Sequence, residues 1–85
     1  MKALQDYVAE KNRWNAIFGM TQPFDLNEAS DRKQIARIID GELSPENLHC
    51  DGEISHAEAM RKYRKLATVA RQLQQLDSSI QFYEL

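Results

Sequence analysis

The sequence predicts an all-α fold: a small helical bundle of three main helices plus one short helical turn, followed by an apolar C-terminal tail. Apolar residues recur every three or four positions in three segments, which is the spacing of one helix face. Helix-capping signals precede the second and third of these segments, and no segment alternates at the period of two that is typical of a strand. With short connections between them, we expect a single helical domain over residues 1–85.

The first predicted helix covers about residues 2–18. Gly19 is well placed to end it, because glycine tolerates the left-handed backbone of a helix stop. Pro23 then prevents the connection from continuing the helix, since proline lacks an amide donor. The apolar residues of this helix form one broad stripe: Leu4, Tyr7, Val8, Trp14, Ile17 and Phe18.

The second predicted helix begins at a capping box formed by Asp25 and Glu28, with Phe24 at the hydrophobic-staple position before it. We expect it to end at Gly41. Its inward-facing residues are predicted to be Leu26, Ala29, Ile35, Ile38 and Ile39.

A short helical turn is predicted next, because Ser44 can act as an N-cap and Pro45 suits the first helical position. It would run through Leu48. Ser55 and Glu58 then form a second capping box, with Ile54 as the staple residue.

A long amphipathic helix is predicted over residues 56–77, which contain neither glycine nor proline. Its apolar positions alternate at spacings of four and three: Ala59, Tyr63, Leu66, Ala70, Leu73 and Leu76. The tail that follows is apolar enough to dock on the bundle, but its pattern is too short to predict a conformation. The predicted core consists of Leu4, Val8, Trp14, Ile17, Phe18, Ile35, Ile38, Ile39, Met60, Tyr63, Leu66, Ala70 and Leu73.

Net charge, cysteine content and the N-terminal residues indicate the compartment in which the protein works. A net charge of -2 and a pI near 5.6 give no overall attraction to nucleic acid or to anionic membranes. Cys50 is the only cysteine, so no disulfide can form within the chain, and this fits a reducing compartment. Charged residues interrupt the first 20 positions, which excludes a signal peptide or a membrane span there. We therefore expect a cytoplasmic protein that does not use a membrane.

A near-duplicate Asp-Gly-Glu occurs at residues 40–42 and 51–53, and the second copy resembles part of an EF-hand calcium loop over residues 47–58. Two departures weaken that interpretation. Asn47 replaces the first carboxylate, and His49 offers an imidazole where a hard cation prefers oxygen. A turn followed by the capping box of Ser55 and Glu58 explains the same residues without a metal. A degenerate calcium site is therefore the third hypothesis.

The sequence shows neither the ligand spacing of a structural zinc site nor the residues of a catalytic site. His49, Cys50, Asp51 and His56 are residue types that bind transition metals, but they lack the paired spacing of a structural zinc site. No nucleophile, base and oxyanion donor can be assembled from the motifs. We therefore expect no cofactor and no enzymatic activity.

The charges are unevenly distributed. The stretch from 40 to 58 contains no lysine or arginine, and we call its six carboxylates the acidic shoulder: Asp40, Glu42, Glu46, Asp51, Glu53 and Glu58. The stretch from 61 to 71 contains no acid but carries Arg61, Lys62, Arg64, Lys65 and Arg71. This basic face could neutralise phosphates, with Arg32, Lys33 and Arg37 as a second group, so a nucleic-acid-binding regulator is the alternative function.

The leading prediction is a small protein-interaction module or accessory factor that docks on a larger protein or complex. A small helical domain without convergent titratable groups is most simply a docking surface. Its partner-binding residues are predicted to be Arg61, Lys62, Arg64, Lys65, Glu42, Glu46, Asp51, Glu53, Phe82 and Tyr83, with Leu85 as a further anchor. A homodimer through the last helix, involving Gln72, Gln74 and Gln75, is a variant of the same idea.

Overall fold

Helices dominate the computed structural model, which describes residues 1–19, 22–48 and 55–85. Four helices follow in chain order: α1 (Lys2–Ile17), α2 (Ala29–Leu43), α3 (Pro45–Leu48) and α4 (His56–Leu76). The described residues contain no strand. The predicted all-α bundle of three main helices, one short turn and an apolar tail is confirmed.

The 21-residue helix α4 organises the bundle. Both α1 and α2 pack against it, and the short α3 contacts α2 and α4. Alanines occupy three of its buried positions, which allows close helix approach: Ala59, Ala67 and Ala70. The largest fully buried side chains come from all three long helices: Leu4, Ile35, Ile39, Leu43 and Leu73. Each contributes about 1.5–3 kcal/mol by leaving water.

The predicted caps of the two later helices are present. The Ser55 hydroxyl oxygen accepts a hydrogen bond from the Glu58 amide at 3.2 Å, which satisfies a free donor in the first turn of α4. The Ser44 hydroxyl oxygen accepts from the Asn47 amide at 3.4 Å at the start of α3. The predicted staple residue Ile54 lies outside the described residues.

The predicted start of α2 is wrong. The Asp25 carboxylate accepts a hydrogen bond from the Asn27 amide at 2.9 Å, and this local turn competes with a helix cap. Glu28 becomes the N-cap, so the helix begins three residues later than a cap at Asp25 would place it. Leu26 consequently lies in the connection, where it packs half-buried against the core.

The predicted end of α2 at Gly41 is also wrong, because the helix continues to Leu43. Burial explains the extension: Leu43 is only 1% exposed. The free energy of burying a leucine exceeds the penalty of about 1 kcal/mol for a glycine within a helix. Gly19, in contrast, has a φ of +82° and does stop α1.

The predicted core is correct in part. Leu4, Val8, Ile35, Ile39, Ala70 and Leu73 are buried, and Ile38, Tyr63 and Leu66 are half-buried. Four predicted core residues are instead exposed: Trp14 (51%), Ile17 (65%), Phe18 (75%) and Met60 (37%). Buried residues that the prediction missed are Ala36, Leu43, Leu48, Ala59, Ala67, Val69 and Ile80.

The C-terminal tail docks on the bundle in an irregular conformation. Ile80 is buried, and its amide donates to the Asp77 carbonyl at 3.2 Å. Further along, the Asp40 carboxylate accepts hydrogen bonds from the amides of Tyr83, at 3.1 Å, and Glu84, at 2.8 Å. The end of the chain is thereby tied to α2.

Side-chain hydrogen bonds also fix the ends of α1. At its start the Leu4 amide donates to Oε1 of Gln72 on α4 at 2.9 Å. Near its other end Oδ1 of Asn12 accepts from the Phe24 amide at 2.7 Å, and its Nδ2 donates to the Phe24 carbonyl at 3.3 Å.

Within the described residues, no helix has both the length and the apolar character needed to cross a membrane.

Candidate functional site

Three large apolar side chains stand exposed together at the C-terminal end of α1. We call Trp14, Ile17 and Phe18 the aromatic cluster. The rings of Trp14 and Phe18 stack, with their centroids 6.2 Å apart and their planes inclined by 23°. Large apolar surface in contact with water is unfavourable, so a cluster of this kind commonly marks a binding site.

The helical register of α1 places this cluster away from the core. Leu4 and Val8 point inward and differ by about 40° around the helix axis, at about 100° per residue. On the same scale Trp14 lies about 80° from Leu4, on the flank of the helix, and Ile17 lies about 140° from Leu4, near its far side. Phe18 comes just after the last helical residue. The cluster therefore belongs to a second apolar arc, which lies beside the strip of Leu4 and Val8 that is buried in the core.

The C-terminal half of α1 contributes no buried residue to the core. The two buried residues of α1, Leu4 and Val8, both lie in the first half of the helix. The aromatic cluster accordingly lies where no other helix covers it within the described residues.

A groove of about 610 Å³ runs between α1 and α4. We call it the α1–α4 groove. Its apolar surface comes from Ala3, Tyr7, Leu48, Leu66 and Val69. Its two sides carry opposite charges: Asp6 and Glu10 on α1, and Lys62 and Lys65 on α4.

An ion pair lines one part of this groove. Nζ of Lys11 contacts a carboxylate oxygen of Glu42, which joins α1 to α2. The same ammonium lies 5.2 Å from the centre of the Tyr7 ring, within the range of a cation–π contact. The pair neutralises two charges that would otherwise face a ligand in the groove.

The Tyr7 hydroxyl oxygen is buried and has no hydrogen-bond partner in the described part of the chain. Burial raises the pKa of Tyr7 well above its ordinary value, and the nearby carboxylates of Glu42 and Glu10 raise it further. Tyr7 therefore stays neutral at physiological pH.

The groove and the aromatic cluster lie on the same face of α1. Ala3, Tyr7, Glu10, Trp14 and Ile17 follow at spacings of four, three, four and three, which keeps them on one side of a helix. From Ala3 to Phe18 this face is about 22 Å long at 1.5 Å per residue. The α1 wall of the groove and the aromatic cluster therefore share one side of α1.

The acidic shoulder is largely committed to internal contacts or lies outside the described residues. Glu42 pairs with Lys11, and Asp40 holds the tail. Glu46 and Glu58 are exposed on α3 and α4. The predicted site residues Asp51 and Glu53 lie outside the described residues.

The basic residues of α4 remain accessible. Arg61, Lys62, Arg64 and Lys65 are all exposed, and none of them forms an ion pair within residues 1–19, 22–48 and 55–85. Lys62 and Lys65 line the α1–α4 groove, whereas Arg61 and Arg64 do not. The sequence thus identified one wall of the groove.

The three predicted anchors in the tail differ in how far their side chains are exposed. Phe82 packs half-buried against the core, so its ring helps to hold the tail. Tyr83 is 89% exposed, although its amide is bound by Asp40. Leu85 is 38% exposed.

Two of the three glutamines predicted for helix pairing are used inside the molecule. Oε1 of Gln72 accepts from the Leu4 amide, and Nε2 of Gln74 donates to the Ile80 carbonyl at 3.5 Å. Gln75 is exposed. A homodimer through α4 therefore stays a prediction, with fewer free groups to support it.

Both metal hypotheses depend on residues outside the described part of the chain, among them His49, Cys50 and Asp51. Among the described residues, no three His, Cys, Asp or Glu side chains come together as a metal site requires. The calcium hypothesis depends on His49, Asp51 and Gly52, which lie outside the described residues, so it stays untested. Comparisons with protein-family models, with curated proteins and with solved structures found no match to this chain.

Proposed function

We propose that the protein is a non-enzymatic interaction module that docks on a protein partner through the aromatic cluster. The observation that carries this proposal is the joint exposure of Trp14, Ile17 and Phe18 on one helix end. Interface hot spots are enriched in tryptophan and other aromatic residues, which offer large contact areas with few rotatable bonds.

The size of the cluster supports a binding role. With exposures of 51%, 65% and 75%, and about 200 Å² for each fully exposed side chain, the cluster presents roughly 400 Å². The largest apolar patch on a monomer is typically about 300–600 Å² and is often functional. A stable interface needs about 800 Å² on each partner, so the partner must also contact surface beside the cluster.

The first test is affinity capture with the double variant Trp14→Ala/Phe18→Ala. Both side chains are exposed, so we expect the free energy of unfolding to change by less than about 1 kcal/mol. We expect the proteins that bind the wild-type chain to be lost from the variant, as judged by quantitative mass spectrometry.

Leu76→Ala provides the matched control, because Leu76 is a 44% exposed apolar residue at the end of α4. It should retain the same captured proteins as the wild type. Retention of those proteins by Trp14→Ala/Phe18→Ala as well would exclude the aromatic cluster as the docking surface.

Nucleic-acid binding is the second candidate, favoured by the four exposed cations Arg61, Lys62, Arg64 and Lys65. If all four contacted phosphates, affinity would fall on the order of 100-fold between 50 and 200 mM salt. Filter binding at these two salt concentrations, with nucleic-acid detection in the captured fraction, distinguishes this candidate from a protein partner.

A further inference from the structure

We infer that the docking segment of the partner is an amphipathic α-helix that lies along the α1–α4 groove and covers the aromatic cluster with its apolar face. Acidic residues would follow its edge nearest α4, and basic residues its edge nearest α1. This inference rests on the proposed function and specifies the chemistry of the partner.

The shape of the surface favours a helix. The groove lies between two helices, and a third helix packs into such a groove at interaxial distances of about 8–10 Å. The face from Ala3 to Phe18 is about 22 Å long, which corresponds to a partner helix of about 15 residues, or four turns. Contact with both the groove and the aromatic cluster would supply the area that the cluster alone lacks.

The charges of the two walls define the edges of the partner. Asp6 and Glu10 form no ion pair within the described residues, and neither do Lys62 and Lys65. All four line the groove without neutralising one another. A partner helix with basic residues on one edge and acidic residues on the other meets both walls favourably, whereas a helix with two like-charged edges meets one wall unfavourably.

The apolar floor favours a partner that is itself apolar on one side. Leu48 and Val69 are buried at the groove, and Leu66 is half-buried there. A fully polar or extended segment would leave the accessible parts of Tyr7 and Leu66, and the Trp14 and Phe18 rings, without apolar contacts. The combination of an apolar floor with oppositely charged walls matches the amphipathic pattern of a helix with charged flanks.

The test uses three synthetic helical peptides of about 15 residues that share one apolar stripe. The first has an acidic and a basic edge, the second has two acidic edges, and the third has two basic edges. Trp14 is the only tryptophan and is 51% exposed, so its fluorescence should shift to the blue when a peptide covers it. At low salt, we expect the peptide with mixed edges to bind on the order of tenfold more tightly than the other two.

A charge-reversed variant makes the test specific. In Lys62→Glu/Lys65→Glu both walls are acidic, so the preference should switch to the peptide with two basic edges. Arg64→Glu/Arg71→Glu is the matched control, because these exposed arginines lie on α4 but do not line the groove. It should keep the wild-type preference, and far-UV circular dichroism checks that both variants remain helical.

Three outcomes would overturn the inference. They are equal binding of all three peptides, no Trp14 shift with any of them at millimolar concentration, and an unchanged preference in Lys62→Glu/Lys65→Glu. A Trp14 shift that depends on protein concentration without peptide, with dimers in light scattering, would identify a second copy as the occupant and also overturn it. The proposed function would survive each of these results if Trp14→Ala/Phe18→Ala still abolished capture.

Discussion

At the scale of single residues, Tyr7 occupies an unusual position. Its hydroxyl group has left water without gaining a described hydrogen-bond partner, and this costs free energy. Its ring is nevertheless in contact with the core and with the Lys11 ammonium. The ring therefore packs against the rest of the fold, and the contribution of the hydroxyl group can be tested separately by removing it.

We therefore expect Tyr7→Phe to leave stability unchanged or to raise it by about 1 kcal/mol, measured by urea unfolding at neutral pH. Loss of more than about 1 kcal/mol would show that the hydroxyl makes a hydrogen bond in solution. The pKa of Tyr7 is raised in the folded state, so the wild type should lose stability as the pH rises above about 10, where tyrosine ionises in the unfolded chain. The variant should lack this contribution.

The pKa of Asp77 is shifted downward, in the opposite direction to that of Tyr7. The Ser79 hydroxyl donates a hydrogen bond to its carboxylate, and Nε of Arg32 lies 2.8 Å from Oδ2. The Ser79 contacts and the Arg32 side chain lower the pKa of Asp77 from 3.8 to about 2. The ionised carboxylate thus links α2 to the end of α4.

The stabilisation by Asp77 should be present above pH 4 and should be lost as the pH falls from about 4 to about 2. Asp77→Asn is expected to be less stable than the wild type at pH 7, with the difference in unfolding free energy disappearing near pH 2. The control is Glu46→Gln, which removes an exposed carboxylate on α3. A constant difference between Asp77→Asn and the wild type across this pH range would contradict the assignment.

At the scale of secondary-structure elements, two kinds of contact hold the tail. Up to Ile80 it is held by burial and by hydrogen bonds to α4 and its C-cap, which include the Gln74 amide. Beyond Ile80, the Asp40 carboxylate binds the amides of Tyr83 and Glu84. The two parts can therefore be released separately.

We expect Asp40→Ala to accelerate hydrogen exchange at the amides of Tyr83 and Glu84 while leaving the Ile80 amide protected. The physical reason is that the carboxylate is the described acceptor for both amides. Asp40→Asn, which retains one acceptor oxygen, should show an intermediate effect. Unchanged exchange at Tyr83 and Glu84 in Asp40→Ala would mean that another contact holds this part of the tail.

The caps of α3 and α4 were the most predictable aspect of these elements. Ser44 and Ser55 act on amides three residues away, so the information that specifies each cap is local. The boundaries of α2 were not predictable in this way. Its end depends on the burial of Leu43 against other helices, and its start depends on a turn at Asp25 that competes with a cap of similar composition.

At the scale of the whole molecule, periodicity predicted which residues share a helix face but not which face the core would cover. Helix α1 carries two apolar arcs, and the positions of the neighbouring helices decide between them. Leu4 and Val8 face the core, so Trp14, Ile17 and Phe18 remain outside. The sequence prediction assigned these three residues to the core, and for this reason it did not identify them as a candidate site.

One of the two charged walls of the α1–α4 groove was predictable from the sequence. Its basic wall was visible in sequence as the cations Lys62 and Lys65. Its acidic wall was not, because Asp6 and Glu10 are about 55 residues away in the chain and meet α4 only after folding. The one signal of a second arc was that Tyr7, Trp14 and Ile17 are seven and three residues apart, which places them on one side of a helix.

The packing of α1 against α4 has a consequence for how the protein would respond to its partner. A helix lying in the α1–α4 groove would contact both of its walls, so separating α1 from α4 would require the partner to leave first. Binding and folding are then thermodynamically linked, and a partner at about 100 times its Kd would add about 2.7 kcal/mol to the free energy of unfolding. A small bundle of marginal stability would in this way become longer-lived where its partner is abundant.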